Sequence, residues 1–278
     1  LKNKKKICDL NISVFNNTEA KYTTLQRFTL INFLKNRLPD NFINYNKKVT
    51  KINYEGDNIE VTFENSASIK CDYLIISDGV FSKTKSLIAK KEIKPRYFNS
   101  VALRATIDKN DLQGIDLSNI SIFLGSNLHY VSYPVDSKGQ INFISILRKK
   151  LSSKEFSDYS LFESKNFISS ILSEISKQVD PDIIKNLKGI RCFPIFVSSE
   201  VHRPESRNTF LIGDAFFALP PTFAQGASQS IEVAHELYKN LENEDNQFNI
   251  DRIERTKMID WKSKFNYFAF HLSNPLLV

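Results

Sequence analysis

The sequence predicts an α+β fold in which two strand–turn–helix segments flank a block of antiparallel sheet. In the first segment an apolar run, 73–76, is followed by Asp78-Gly79, and the second segment runs from Thr209 to Leu237. Between them, residues 97–147 form successive short runs of strand-forming residues, which is typical of antiparallel sheet. We therefore expect an α/β domain that is interrupted by an inserted antiparallel β-sheet domain.

Composition places the chain among globular proteins. Its 278 residues are 41% hydrophobic and contain no apolar run long enough to span a membrane, and no long apolar stretch follows the basic N-terminus as in a signal peptide. The net charge of +7 is scattered along the chain, which makes nucleic-acid binding the weakest hypothesis. The cysteines, Cys8, Cys71 and Cys192, show no CxxC spacing, so we expect no metal site, no disulfide framework and a cytoplasmic location.

The elements before residue 91 follow from their apolar periodicity. Residues 7–15 alternate as in a half-exposed strand, and residues 22–38 predict a helix with Phe28, Ile31, Leu34 and Leu38 on one face. Residues 48–54, 59–64 and 68–77 predict three strands. The run 73–76 suits a parallel strand that is buried on both faces, and Ser82 can cap a short helix after it.

The inserted block and the last helix are predicted in the same way. Strands are expected at 97–107, 121–125, 130–135, 140–147 and 188–197, a long helix at 154–177, and a short helix that opens at Asp180-Pro181. Residues 247–270 predict a final helix. We expect its aromatic residues to pack on the rest of the chain, with a homodimer contact as the alternative.

The segment 209–237 combines a strand, an acidic turn and the start of a helix. After the apolar run 209–212 the chain turns at Gly213-Asp214, and Pro220-Pro221 predicts a rigid extended loop rather than helix. A helix is expected from Ala227 onward. Its unpaired N–H groups would suit an anionic or electron-rich ligand edge, while the Asp214 carboxylate could accept hydrogen bonds from hydroxyl groups.

This segment resembles the second flavin motif of the FAD-dependent aromatic hydroxylases, the family of p-hydroxybenzoate, salicylate, 6-hydroxynicotinate and ubiquinone-pathway hydroxylases. The matching residues are Gly213-Asp214-Ala215, Pro220-Pro221, Ala224-Gln225-Gly226-Ala227 and Ile231-Glu232. The resemblance implies that Asp214 binds the ribityl chain of FAD and that Pro221 lies beside the isoalloxazine and the substrate. It also implies that the N–H groups of Ala227 and Ser228 hold the pyrimidine edge of the flavin, with Gly213, Gln225 and Gly226 in the same site. Phe217 and Val233 depart from the family pattern, which has a His and an acidic residue there.

Two further stretches resemble the same family. Arg27, with Leu30 three residues on, matches an Arg that contacts FAD in the family; a solvated helix charge is the alternative. Asp78, Gly79 and Ser82, after Asp72, match a motif that the family uses for FAD and NAD(P)H; an ordinary strand–turn–helix connection is the alternative.

His129 and Tyr133 are the candidate substrate-facing residues. They match a His and a Tyr, four residues apart, that face the substrate ring in the salicylate and hydroxynicotinate branch. An imidazole with a near-neutral pKa can accept a phenolic proton and so make the ring electron-rich. The alternative is a histidine on a surface strand and a packing tyrosine.

The resemblance implies an FAD-dependent monooxygenase that uses NADH or NADPH and O2 to hydroxylate a phenol-like or N-heteroaromatic ring. We expect residues 1–90 and 201–245 to form the Rossmann-like FAD domain, with residues 1–20 joining the substrate sheet, 91–200 the substrate domain and 246–278 a C-terminal helix. No G-x-G-x-x-G occurs and the chain begins with Leu, so we expect a fragment or processed chain whose first βαβ unit lies upstream. The open alternatives are a flavin oxidoreductase acting on a prenyl or lipid-like substrate and a non-catalytic module that has lost FAD.

Overall fold

A computed structural model describes residues 6–11, 23–56, 58–112, 119–135, 139–243 and 248–272. The chain forms two compact units. Unit 1 comprises residues 1–40, 99–195 and 268–278, and unit 2 comprises residues 41–98 and 196–267. The candidate FAD and substrate domain boundaries stay a prediction about the whole protein.

The described ranges contain both strands and helices. The strands are β1 Val49–Glu55, β2 Asn58–Phe63, β3 Ser68–Cys71, β4 Leu74–Ile76, β5 Arg96–Asp108, β6 Ser121–Leu124, β7 Leu128–Pro134, β8 Gln140–Arg148, β9 Lys188–Val197 and β10 Thr209–Leu211. The α-helices are α1 Arg27–Lys35, α2 Lys83–Ile88, α3 Ser153–Ser157, α4 Tyr159–Glu163, α5 Lys165–Ser176, α6 Pro181–Lys185, α7 Gly213–Phe217, α8 Gly226–Asn243 and α9 Phe248–Ala269.

Unit 1 is organised around a sheet with the strand order β6-β7-β8-β5-β9. The pairs β6/β7, β7/β8 and β5/β8 are antiparallel, which confirms the expected sheet. Alternate residues of β5 lie on one face because side chains alternate along a strand. Those residues, Val101, Leu103, Ala105 and Ile107, are at most 4% exposed and join one core cluster with α5 and α6.

The long helix expected at 154–177 is wrong, because three shorter helices, α3, α4 and α5, occupy this stretch. Asp158 and Ser164 interrupt it by accepting hydrogen bonds from the backbone N–H groups of Ser160 and Phe167. Such side chains compete with the helical backbone and favour helix starts over helix interiors. α5 then buries Ile171 and Ile175 completely against the sheet.

The predictions for residues 7–38 are less accurate than those for the sheet of unit 1. Residues 7–11 of the expected first strand have no regular structure, and residues 12–15 lie outside the described residues. α1 is shorter than expected, and Phe28, Ile31, Leu34 and Leu38, the residues of the predicted apolar face, are all at least 41% exposed.

Unit 2 contains an antiparallel sheet in the order β1-β2-β3 and a parallel pair, β4 and β10. The expected third strand, 68–77, is divided into β3 and β4. β4 is parallel as expected, but burial on both faces is wrong: Ile76 is 3% exposed whereas Ile75 is 47% exposed. Ile76 and Leu211 form a small core with Ala215 and Phe216 of α7.

Three expectations for the C-terminal part of the chain are corrected, at α7, at Pro221–Phe223 and at α9. The turn at Gly213-Asp214 is the first turn of α7, and Pro221–Phe223 forms a short 3₁₀ helix because proline is pre-set for a first helical position. α9 buries its Phe248 and Ile259 side chains, but its aromatic residues Trp261, Phe265 and Phe268 are at least 55% exposed. The expected packing of these aromatic residues is therefore wrong.

Candidate functional site

The ends of two parallel strands bring the predicted motif turns to one sheet edge. Leu211 lies opposite Ile76, and the Ile212 N–H donates a 3.0 Å hydrogen bond to the Ile76 carbonyl. Because β4 and β10 run in the same direction, Asp78-Gly79 and Gly213-Asp214 leave this pair at the same end. The carboxyl ends of parallel strands are where α/β sheets bind ligands.

Gly213 is favoured at the start of its turn by the backbone conformation and by the tight space around it. Its φ is +57°, a left-handed conformation that favours glycine. A Cβ atom here would also lie 3.2 Å from the Ser230 hydroxyl oxygen of α8. The turn therefore packs closely on the first turns of α8, and the Asp214 side chain that follows is exposed.

The start of α8 presents backbone donors in open surroundings. The Gln229 N–H donates to the Gln225 carbonyl at 2.8 Å, so the N–H groups of Gly226, Ala227 and Ser228 precede this bond of the helix. All three residues are exposed, and a Cβ at Gly226 would meet no atom within 4 Å. The helix start can thus accommodate an electron-rich ligand edge.

The connection into α8 is strained and anchored. Ala224 adopts a left-handed φ of +51°, an uncommon conformation for a residue with a Cβ. Thr222 is buried, and its hydroxyl donates a 2.5 Å hydrogen bond to the Ser263 carbonyl of α9. Pro221 is exposed beside this anchor, and Gln225 is half-buried.

The Asp78-Gly79 turn is fixed by the helix that follows it. The Thr84 N–H donates to the Asp78 carboxylate at 3.2 Å, and Ser82 caps α2, as expected, by accepting from the Lys85 N–H at 2.9 Å. Gly79 has a φ of +85°. Sequence reasoning missed Lys85, which is 2% exposed; burial lowers the pKa of its ammonium group, although the charge of Asp78 opposes this shift.

A buried arginine of α9, Arg252, hydrogen-bonds to the first turns of α8. The Arg252 side chain of α9 is 5% exposed and donates to Glu232 at 3.0 Å, Glu236 at 2.9 Å and Gln229 at 3.0 Å. Gln229 in turn donates to the Gln225 side chain at 3.3 Å. The hydrogen-bond chain thus leads from α9 to the residue before α8.

Glu232 also accepts hydrogen bonds from a second arginine, Arg255. Burial is the largest influence on the pKa of the Glu232 carboxyl group and raises it. The hydrogen bonds from Arg255 and Arg252 together nevertheless keep this pKa below its ordinary value. Sequence reasoning missed Arg252 and Gln229. Two arginines three residues apart on the last helix were the available signal, since such residues lie on one helix face.

A small cavity lies behind the Gly213-Asp214 turn. It is lined by Asp214, Gln229, Arg252 and Thr256 among others, and its volume is about 20 Å³. That volume suits about one water molecule. The Arg252 Nε atom is buried without a hydrogen-bond partner among the described residues. The cavity is therefore part of the support of the turn rather than the place for a cofactor ring.

His129 lies on β7 in unit 1 and is 2% exposed, so the alternative of a surface-strand histidine is wrong. Its Nδ1 atom lies 3.3 Å from Nε2 of His271, and its ring makes an edge contact with Phe270 at a centroid distance of 5.2 Å. Burial, followed by the charges of His271 and Arg148, lowers the pKa of His129 to about 3. The imidazole is therefore neutral at neutral pH, and the expectation of a near-neutral pKa for His129 is wrong.

Tyr133 and Arg27 also belong to unit 1. Tyr133 is half-buried and lies on the same face of β7 as His129, because the two are four residues apart on a strand. Arg27 begins α1 and is exposed. Just before it, the Thr24 hydroxyl donates a 2.7 Å hydrogen bond to the Pro134 carbonyl at the end of β7.

The predicted residues thus form two groups. Unit 2 contains the turns and the helix start that are expected to hold a cofactor: Asp78, Gly79, Gly213, Asp214, Pro221, Gln225, Gly226, Ala227 and Ser228. Unit 1 contains Arg27, His129 and Tyr133. No helix in the described ranges combines the length and the apolar run that crossing a bilayer requires.

The chain is similar to known hydroxylases in sequence and in structure. Salicylate hydroxylase of Pseudomonas putida is 23% identical over 243 residues, covering 79% of this chain and 54% of the relative. HpxO of Klebsiella pneumoniae, solved with FAD and uric acid, superposes with a TM-score of 0.67 at 19% identity, covering 83% of this chain and 60% of that one. A salicylate hydroxylase substrate complex gives a TM-score of 0.72 at 17% identity, covering 90% and 67%.

The chain spans about half the length of the curated relatives that it matches. The structural similarities establish a mixed α/β fold with an antiparallel sheet, like that of FAD-dependent hydroxylases. The model of the FAD binding domain family matches residues 37–246, well over half of the chain, and includes both motif turns and the start of α8. The chain therefore belongs to the FAD binding domain family of flavoprotein monooxygenases.

Proposed function

We propose that the whole protein is an FAD-dependent monooxygenase that hydroxylates a phenol-like or N-heteroaromatic ring with NAD(P)H and O2. The observation that carries this proposal is the arrangement in unit 2, where Asp78-Gly79 and Gly213-Asp214 leave one parallel strand pair beside the start of α8. Family membership supports the same proposal.

The residues of unit 2 suit the flavin half of FAD. The exposed Asp214 carboxylate can accept hydrogen bonds from ribityl hydroxyl groups, and the N–H groups of Ala227 and Ser228 can donate to the pyrimidine edge. The open space at Gly226 admits a planar ring beside the backbone. Bound FAD would supply the redox and oxygen-transfer chemistry, while the protein orients the reactants and excludes water.

We assign supporting roles to the remaining cofactor residues. Asp78 and Gly79 form the second turn at this strand pair, and Arg27 is proposed to contact FAD in the whole protein. Gly213 allows the close turn, and Gln225 precedes the helix start that it helps to fix.

His129, Tyr133 and Pro221 are proposed to contact the substrate. The neutral imidazole of His129 can accept a hydrogen bond from a phenolic O–H group, which orients and polarises the ring for oxygen transfer, while its low pKa makes it too weak a base to remove the proton. Tyr133, on the same face of β7, can hydrogen-bond a second polar group of the ring. Pro221 would limit the space next to the flavin.

An FAD titration of the 278-residue chain, followed by flavin absorbance and fluorescence, tests the cofactor site. We expect saturable binding that is lost in Asp214→Ala and retained in Asp251→Ala, which removes an exposed carboxylate from α9 of the same unit. Equal binding by the Asp214→Ala chain would contradict the proposed role of Asp214.

Turnover tests the substrate class. The full-length gene product, mixed with NADH or NADPH and small aromatic acids, should oxidise the nicotinamide faster when the correct aromatic compound is present. Loss of hydroxylation with retained FAD in His129→Ala would support the substrate role of His129. An FAD-loaded protein that responds to no aromatic compound would contradict the aromatic substrate class and favour a prenyl or lipid-like one.

A further inference from the structure

The end of α9 places a second imidazole against the proposed substrate-contacting histidine. His271 is 6% exposed, and its Nε2 atom lies 3.3 Å from Nδ1 of His129. Two neutral imidazoles at this distance share one hydrogen bond, in which one nitrogen donates and the other accepts. The nitrogen that donates fixes which tautomer each ring adopts.

Only one of the two arrangements leaves His129 able to accept a hydrogen bond at its other nitrogen. If His129 Nδ1 carries the hydrogen and donates to His271, then His129 Nε2 has a lone pair. If His271 donates instead, His129 Nε2 carries the hydrogen and can serve only as a donor. The proposed function requires the first arrangement.

We propose that His271 is a positioning residue that accepts the Nδ1–H hydrogen bond of His129 and thereby presents the Nε2 lone pair of His129 to a phenolic O–H group. This inference rests on the proposed function and names the residue that sets the tautomer of its hydrogen-bond acceptor. The phenolic O–H group donates a hydrogen bond to Nε2 of His129, and both groups stay neutral.

The surroundings of the pair keep His129 neutral, as this hydrogen bond requires. Burial, followed by the charges of His271 and of Arg148 on β8, disfavours a proton on His129. His271 follows the last turn of α9, and its N–H donates to the Phe268 carbonyl at 3.1 Å, which fixes the backbone of His271.

The edge contact of Phe270 fixes the plane of the His129 ring. The ring centroids are 5.2 Å apart with an interplanar angle of 65°. The rings of His129 and His271 meet at 62° with a centroid distance of 5.0 Å. Because Phe270 and His271 both contact the His129 ring, the ring loses little orientational freedom when substrate binds. A positioning residue acts in this way.

Nitrogen-15 NMR of the histidine-labelled 278-residue chain tests the inference without FAD. We expect wild-type His129 to carry its hydrogen on Nδ1, and we expect this tautomer to be lost in His271→Leu. His271→Gln should restore it, because its amide oxygen can accept the same hydrogen bond. His235→Gln, at an exposed position of α8, is the matched control and should leave His129 unchanged.

Two results would overturn the inference: hydrogen on Nε2 of His129 in the wild-type chain, or the same His129 tautomer in wild type and His271→Leu. The wild-type spectrum alone decides the first, so the test survives a variant that does not fold. If His129 has the expected tautomer but the full-length protein hydroxylates no aromatic ring, the proposed function is contradicted and the role of His271 is not. If the protein is active but His129 has the opposite tautomer, the role of His271 is contradicted and the proposed function is not.

Discussion

The burial of His129 predicts a specific loss of stability in mild acid. An exposed histidine in the unfolded chain titrates with a pKa near ~6.5, whereas burial lowers the folded-state pKa of His129 to about 3. Between these values the unfolded chain binds a proton that the folded chain does not bind. Stability therefore falls as the pH falls through this window, and the contribution is fully retained only above the unfolded pKa.

The expected size follows from the two pKa values. Taking the folded imidazole as neutral throughout, His129 lowers the free energy of unfolding by about 0.7 kcal/mol between pH 7 and pH 6, and by about 2 kcal/mol between pH 7 and pH 5. Other groups also titrate in this range, so the quantity to compare is the difference between wild type and His129→Gln. Glutamine keeps a hydrogen-bonding group beside His271 but does not titrate.

Urea unfolding at pH 7, 6 and 5, followed by circular dichroism, measures this difference. The stability advantage of wild type over His129→Gln should shrink by about 2 kcal/mol by pH 5. His235→Gln, a substitution of an exposed histidine, serves as the control. A change below about 0.5 kcal/mol would mean that folded His129 takes up a proton as readily as the unfolded chain, and would refute the reasoning from burial.

Two further predictions concern the support of the cofactor turns. Gly213→Ala should destabilise the chain by about 1–2 kcal/mol, because its φ is +57° and the new Cβ meets the Ser230 hydroxyl; urea unfolding measures this, and a neutral effect would contradict the strain. Arg252→Met should cost about 3 kcal/mol because it leaves Glu232 and its neighbours without a buried partner. The control Arg255→Met, at an arginine side chain that is 44% exposed, should cost less than about 1 kcal/mol; equal losses would contradict the importance of burial.

The sheet of unit 1 was predictable because its residues carry a local signal. From Leu103 to Asp108, β5 alternates buried positions with exposed or half-buried ones. The five strands expected in this block are confirmed to within about two residues at each end. The prediction of one helix at 154–177 was wrong, also for a local reason. Asp158 and Ser164 were treated as helix interior although their side chains favour caps.

The candidate cofactor turns were predictable for a different reason. Gly213, Asp214 and Gly226 fall in a spaced motif, so their positions followed from resemblance rather than from periodicity. What supports them did not follow, because Arg252 lies well after the motif and meets α8 only in three dimensions. The same holds for the pairing of His129 with His271, which are 142 residues apart.

The two groups of candidate residues differ in burial, and this difference allows their roles to be tested separately. In unit 2 the groups proposed to contact FAD, such as Asp214 and the start of α8, are exposed, whereas Arg252, which hydrogen-bonds to α8, is buried. In unit 1 the chemical group itself, His129, is buried and its pKa is set by that burial. A change at Arg252 should therefore weaken FAD binding without altering the His129 tautomer, and a change at His271 should alter the tautomer without weakening FAD binding. The proposed function requires both groups, but each can be tested on the same chain with its own readout.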